Sequence, residues 1–249
     1  MVSSPLAASC AGSRVLQLDN VTKRYGGLVA VNGVSARIAA AQTTAIIGPN
    51  GAGKTTLFGM IAGAIPPSDG RIIFADHDIT RWSADQVCRA GIGRTFQVVR
   101  PFWAMTVHDH LRAAAAFGSK AASRSESTVL SDIVTLCGLQ DVADRVALTL
   151  TLADCRRLEI ARALATGARM ILLDETMAGL TPEETEQAIQ LVKGVVAAGR
   201  TVVLIEHVLP AVRGLADRVI VLDRGAVIAD GEPIEVLSSA TVKKAYLGE

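Results

Sequence analysis

Short β-branched and aliphatic runs recur along the chain at Thr43–Ile47, Arg71–Phe74, Met170–Leu173, Thr201–Ile205 and Val219–Leu222. Each is strand-sized, and longer stretches of helical spacing separate them, an order that predicts a mainly parallel sheet with helices as crossovers. Between Thr106 and Ala147 the strand signal fades. There the Ala-rich stretch Val107–Phe117 and the apolar spacing of Val129, Ile133, Val134 and Leu136 predict helices, the second closed by Gly138. A helical segment set into an α/β core accounts for this order. Segment Gly118–Ser127 reads as a mobile loop between the two helices.

Half of the 249 residues are hydrophobic, enough for a sizeable core. The longest apolar stretches, such as Val219–Leu222 and Met170–Leu173, are nonetheless bounded by charges and fall far short of the ~20 residues that a bilayer-spanning helix requires. Lys plus Arg (25) nearly cancels Asp plus Glu (24), and basic residues form no long run, so the electrostatic footprint of a nucleic-acid binder is missing and nucleic acid is not an expected partner. Residues Met1–Ser13 are small and polar with no basic and apolar signal pattern, and are expected to be a disordered leader. Cys10, Cys88, Cys137 and Cys155 lack the spacing of a zinc site and suit a reducing compartment as structural thiols.

Candidate chemistry enters after the first of the strand runs. Gly48, Pro49, Asn50, Gly51, Ala52, Gly53, Lys54 and Thr55 match GxxxxGK[ST], with a strand before them and a helical pattern, Thr56–Ala62, after. Glycines let backbone N–H groups turn inward around phosphate oxygens, and the helix beginning here adds its positive end. Lys54 would neutralise the β and γ phosphates, and the Thr55 hydroxyl would serve Mg²⁺. The bare pattern arises by chance in roughly one chain in a hundred of this length, so the strand and helix context carries much of its weight. Downstream, the apolar run Met170–Leu173 ends in Asp174 and Glu175. Ligand sites lie at the carboxyl ends of parallel strands, which turns the pair toward the phosphate loop. Asp174 would hold the Mg²⁺ shell through water, and Glu175 would polarise the attacking water.

Around these motifs the chain resembles the ATPases of ABC transporters, from about Arg14 to its last residue. Several matches come in the family's order. Tyr25 is similar to the aromatic that stacks on adenine. Gln97, in Gly91–Gln97, resembles the glutamine that touches Mg²⁺ and water and relays to the membrane subunits. Arg156–Leu164 resembles the helix after the family's signature loop, here Leu150, Thr151, Leu152, Ala153 and Asp154. Ala178, Gly179 and Leu180 resemble the loop that crosses a dimer interface, and His207 resembles the histidine that senses the γ phosphate. The resemblance implies an α/β fold: a P-loop NTPase (RecA-like) core with an antiparallel β subdomain and an inserted α-helical subdomain at about 99–157, within an ATPase domain spanning 14–249. It assigns Tyr25, Gly48–Thr55 and Thr56 to ATP, Glu175, His207 and Gln97 to catalysis, and Thr55, Gln97 and Asp174 to the metal.

Gly26–Asn32, Gly91–Gln97, Gly179–Glu184 and the ending Lys244–Glu249 are further similar to the larger of the two ATPase types in branched-chain amino-acid uptake systems. Membership would imply a second ATPase subunit, identical or different, two membrane permease chains, and an extracytoplasmic binding protein reached indirectly. It would also imply a peripheral position on the cytoplasmic face of the inner membrane. Related systems carry amides or urea, and no residue of this chain is expected to contact the cargo. Two departures stand out: Ala153 replaces the signature loop's last glycine, where a Cβ could crowd phosphate or forbid positive φ, and Thr176 replaces the proline that commonly follows the catalytic glutamate. A soluble P-loop kinase would need an acceptor site, for which the sequence offers no candidate. An ABC ATPase of DNA repair or translation would need coiled-coil arms or two fused cassettes, for which the chain is too short.

Overall fold

The computed structural model describes residues 14–95, 101–118 and 126–247. The expected leader, Gln97 and the middle of the loop expected at Gly118–Ser127 lie outside these residues; Gly118 closes one helix, and Glu126 and Ser127 open the next.

The described residues open with two long strands, β1 (Arg14–Tyr25) and β2 (Leu28–Ala39), paired antiparallel. Next come β3 (Thr43–Ile47), the phosphate loop and α1 (Lys54–Ile61). Two further strands, β4 (Asp69–Phe74) and the short β5 (His77–Asp78), lead to α2 (Ala84–Ala90) and β6 (Ile92–Arg94). A helical stretch follows, with α3 (Val107–Phe117), α4 (Glu126–Leu136), two 3₁₀ turns and α5 (Leu152–Ala165). Alternation then resumes through β7 (Met170–Asp174), α6 (Pro182–Ala197), β8 (Thr201–Ile205), α7 (Leu209–Leu215), β9 (Arg218–Asp223), β10 (Ala226–Gly231), α8 (Pro233–Ser238) and α9 (Ala240–Leu247).

These strands form two sheets. An antiparallel sheet has the order β2-β1-β4-β5, and a six-stranded sheet has the order β10-β9-β3-β8-β7-β6, parallel except at its β10 edge. Strands β3, β7 and β8 are buried at every position, which is why they read as continuous apolar runs rather than alternations. Their side chains go alternately to two cores. Ala45, Ile47, Ile171, Leu173, Val202, Leu204, Val219 and Val221 join helices α3 to α9, whereas Ile46, Met170, Leu172, Val203, Ile205, Ile220 and Leu222 join α1, α2 and the antiparallel sheet.

The helices start where the sequence supplies caps. Thr106 accepts the Asp109 N–H, and Asp109 reaches back to the Thr106 N–H; Thr181 and Glu184 do the same for α6, with Pro182 at its first turn. No described helix is long and apolar enough to cross a membrane.

Candidate nucleotide site

The carboxyl ends of four neighbouring strands converge on one cleft. β3 delivers the phosphate loop, β7 delivers Asp174 and Glu175, β8 delivers Glu206 and His207, and β9 delivers Arg224. The cleft has a volume of about 520 Å³ and is lined by Asn50–Thr56, Glu175, His207 and Arg224, with Leu28, Val29 and Ala30 of β2 opposite.

Two glycines are fixed by space as well as conformation. Gly48 has φ +149°, and a Cβ there would lie 2.0 Å from the Leu222 carbonyl oxygen; Gly53 has φ +99°, and a Cβ would lie 2.3 Å from that of Ala30. The loop is therefore wedged between β9 and β2 on one side and lines the cleft with Asn50–Thr56 on the other. Lys54 is buried and donates from Nζ to the carbonyls of Gly48 (2.7 Å) and Pro49 (3.0 Å), which holds the ammonium at the centre of the loop. Burial pushes its pKa down, and the charges of Glu175 and Asp174 push it partly back.

Asp174 is buried at the end of β7. Its Oδ2 accepts from Arg94 Nη2 at 3.0 Å, and its backbone N–H donates to the Thr95 hydroxyl, but among the described residues Oδ1 has no hydrogen-bond partner. An orphaned buried carboxylate oxygen next to a threonine-bearing phosphate loop fits the hydrated Mg²⁺ that accompanies a nucleoside triphosphate. Glu175 has the left-handed φ of +50° and places Oε1 2.7 Å from His207 Nε2. Behind this pair lies Glu206, 2% exposed, accepting the Met177 N–H at 3.0 Å and the Thr176 hydroxyl at 3.4 Å.

The structure thus gathers Asn50–Thr56, Glu175 and His207 in one cleft, with Gly48 and Pro49 forming the floor beneath Lys54. Tyr25 does not line it; that residue closes the β1–β2 hairpin opposite Leu28, half exposed, with Lys23 Nζ 5.2 Å from its ring centroid. Leu150–Asp154 stand apart from the cleft as well. Only Leu150 and Thr151 precede the helix, because the Thr151 hydroxyl accepts the Asp154 N–H and starts α5 at Leu152. Ala153 then sits in the first helical turn without positive φ, so the feared backbone conflict does not arise. Arg94, Arg224 and Glu206 escaped the sequence reading. Arg94 lies inside a motif noted only for Gln97, and Glu206 directly precedes His207, but neither carries a local signature of its own.

The family model described as "ABC transporter" matches residues 31–178. Among the most similar relatives is the high-affinity branched-chain amino acid transport ATP-binding protein BraF of Pseudomonas aeruginosa, 38% identical, with the match covering 94% of this chain and 98% of BraF. Two solved structures extend the comparison. The ADP conformation of MJ1267, an ATP-binding cassette of an ABC transporter, superposes with a TM-score of 0.85 at 32% identity, over 95% of this chain and 99% of that one. The dimeric post-hydrolysis state of the ATP-binding cassette MJ0796, bound to ADP and Pi, superposes with a TM-score of 0.77 at 25% identity, over 88% and 98%.

Proposed function

This chain belongs to the ABC transporter ATPases, and from that premise we propose that it is the ATP-hydrolysing subunit of an importer for branched-chain or closely related amino acids. The cargo follows from kinship with BraF and from no residue of the cleft. The observation that carries the ATPase reading is the cleft itself, where a glycine-walled loop with a buried lysine faces a carboxylate pair and a histidine.

Lys54 and the N–H groups of Asn50–Thr56 would hold the phosphates, and the Thr55 hydroxyl together with, through water, Asp174 and Gln97 would hold Mg²⁺. When bound, that ion would supply neutralisation of the phosphate charge. Glu175 takes the proton of the attacking water, and His207, held at 2.7 Å from it, orients that carboxylate and reads the γ phosphate. Tyr25 stacks on adenine. Leu150–Asp154 do not line their own chain's cleft, which supports a sandwich of two ATPase subunits in which each completes the other's site. Closing that sandwich on ATP and reopening it after hydrolysis would drive two permease chains, with the ATPase on the cytoplasmic face of the inner membrane and the binding protein on the far side.

Lys54→Ala in the full-length chain tests the reading. Loss of the central cation should abolish ATP binding, measured by titration with a fluorescent ATP analogue, and affinity within about threefold of wild type would overturn the site. Purification of the tagged chain from its native membranes should bring permease subunits with it; a chain recovered without membrane partners would sink the transport assignment.

A further inference from the structure

Glu206 has no part in the reading above, yet it is a buried carboxylate directly beneath the Glu175–His207 pair. Three consecutive residues at the end of β8 grip three consecutive residues after β7. The Ile205 carbonyl accepts the Glu175 N–H at 2.9 Å, the Glu206 carboxylate accepts the Met177 N–H at 3.0 Å and the Thr176 hydroxyl at 3.4 Å, and the His207 ring meets the Glu175 carboxylate at 2.7 Å. Between the first and second of these contacts the chain passes through Glu175 at φ +50°. A non-glycine residue in that conformation persists only where its surroundings over-determine it.

We propose that Glu206 is a positioning residue for Glu175: its carboxylate clamps the chain at Thr176 and Met177 and so holds Glu175 in the left-handed conformation from which it meets His207. The clamp rests on the ATPase reading of the cleft.

Three observations support it. Both ends of the contact are buried, with Glu206 at 2% and Thr176 at 3% exposure, so water does not compete for the carboxylate. A charged acceptor binds an amide N–H more strongly than a neutral one, and burying it costs stability; burial pushes the Glu206 carboxyl up to about 7, with the nearby charge of Glu175 adding to the effect. A residue kept only for packing would be better served by glutamine. Finally, the second bond exists because residue 176 carries a hydroxyl. Where proline would have stiffened the loop through its ring, Thr176 secures it from outside through Glu206.

The test compares nucleotide affinity with turnover in the full-length chain supplied with Mg-ATP, using Glu206→Ala, Glu206→Gln, Thr176→Val and Thr176→Ser, with Lys54→Ala as control. Glu206→Ala should lower kcat at least about tenfold, the size expected for losing a hydrogen bond to a charged group, while the Kd for ATP stays within about threefold. Glu206→Gln and Thr176→Val should give smaller losses, and Thr176→Ser should restore kcat by returning the hydroxyl. If Glu206→Ala does not fold, Glu206→Gln and Thr176→Val, which nearly conserve volume, decide the matter. A kcat within about twofold of wild type in both overturns the clamp, as does a parallel loss of kcat and affinity. Hydrolysis by the wild type that does not depend on Lys54 would remove the ATPase reading and the clamp together; Lys54-dependent hydrolysis with wild-type Glu206 variants removes the clamp alone.

Discussion

At the scale of single residues, Glu206 sets an unusual relation between pH and stability. Its carboxyl titrates near 7 in the fold, against about 4.5 for an ordinary glutamate. Between those values the native state binds more protons than the unfolded state, so this group's contribution to stability declines as pH rises from about 4.5 through 7 and is level above. The charged form then costs on the order of 3 kcal/mol. Urea unfolding of Glu206→Gln should show a stability that gains on wild type by about that amount between pH 4.5 and pH 8; an unchanged difference across this range would mean that the carboxyl titrates normally. The same variant is expected to lose turnover, so one residue should trade stability against activity. Gly48 offers a steric counterpart. Gly48→Ala would drive a methyl into the Leu222 carbonyl and is expected to remove ATP binding while lowering the unfolding midpoint, which calorimetry with and without nucleotide would detect.

Among the elements, α3 shows how a helix start can secure a neighbouring loop. His110 is buried, with Nδ1 2.8 Å from the Thr106 carbonyl and Nε2 receiving the Phe102 N–H at 2.9 Å. Accepting at Nε2 requires the neutral ring with its proton on Nδ1. Burial pushes the pKa of His110 down and Arg162 opposes protonation further, although the Thr106 carbonyl, Asp109 and Glu159 pull the other way. A depressed histidine contributes stability that is fully present above its unfolded pKa of about 6.5 and is lost as pH falls below that value and through the lower pKa of the folded state. The Tm of the wild type should therefore drop more between pH 7.5 and pH 5.5 than that of His110→Gln; equal drops would show that the ring is not confined to its neutral form.

Legibility in the sequence also follows the element. Strands β3, β7, β8 and β9 were readable because burial on both faces makes them unbroken apolar runs, and α3 because its stretch is rich in alanine. β1 and β2 gave no such signal. Their pairing shifts register at several points, Asn20 and Gly33 take positive φ, and the alternation of Leu16, Leu18 and Val21 breaks at the bulge. The phosphate loop is local in sequence and could be named from it; the partnerships of Asp174 with Arg94 and of Thr176 with Glu206 join residues 80 and 30 positions apart and become visible only when the strands are laid side by side.

For the whole molecule, the absence of Leu150–Asp154 from the lining of their own chain's cleft makes association the measurable quantity. Glu175→Gln keeps the phosphate loop but cannot take the proton of water, so the chain with ATP, or with its partner ATPase, should accumulate as a dimer on size exclusion while the wild type returns to monomer; elution as monomer in both cases would count against the shared site. The alternating side chains of the six-stranded sheet lead to a last consequence. Strands β3, β7, β8 and β9 of that sheet are each shared by both cores, whereas each helix belongs to one. Loosening either face leaves the strands sheltered by the other. Amide deuterium uptake should therefore divide the chain into two groups of helices that open separately and a slow central group, Ala45–Ile47, Ile171–Leu173 and Val202–Leu204, whose protons are lost only when the entire chain unfolds. Such a sheet behaves as a stiff common plate, across which one lobe can be reshaped while the nucleotide end keeps its form.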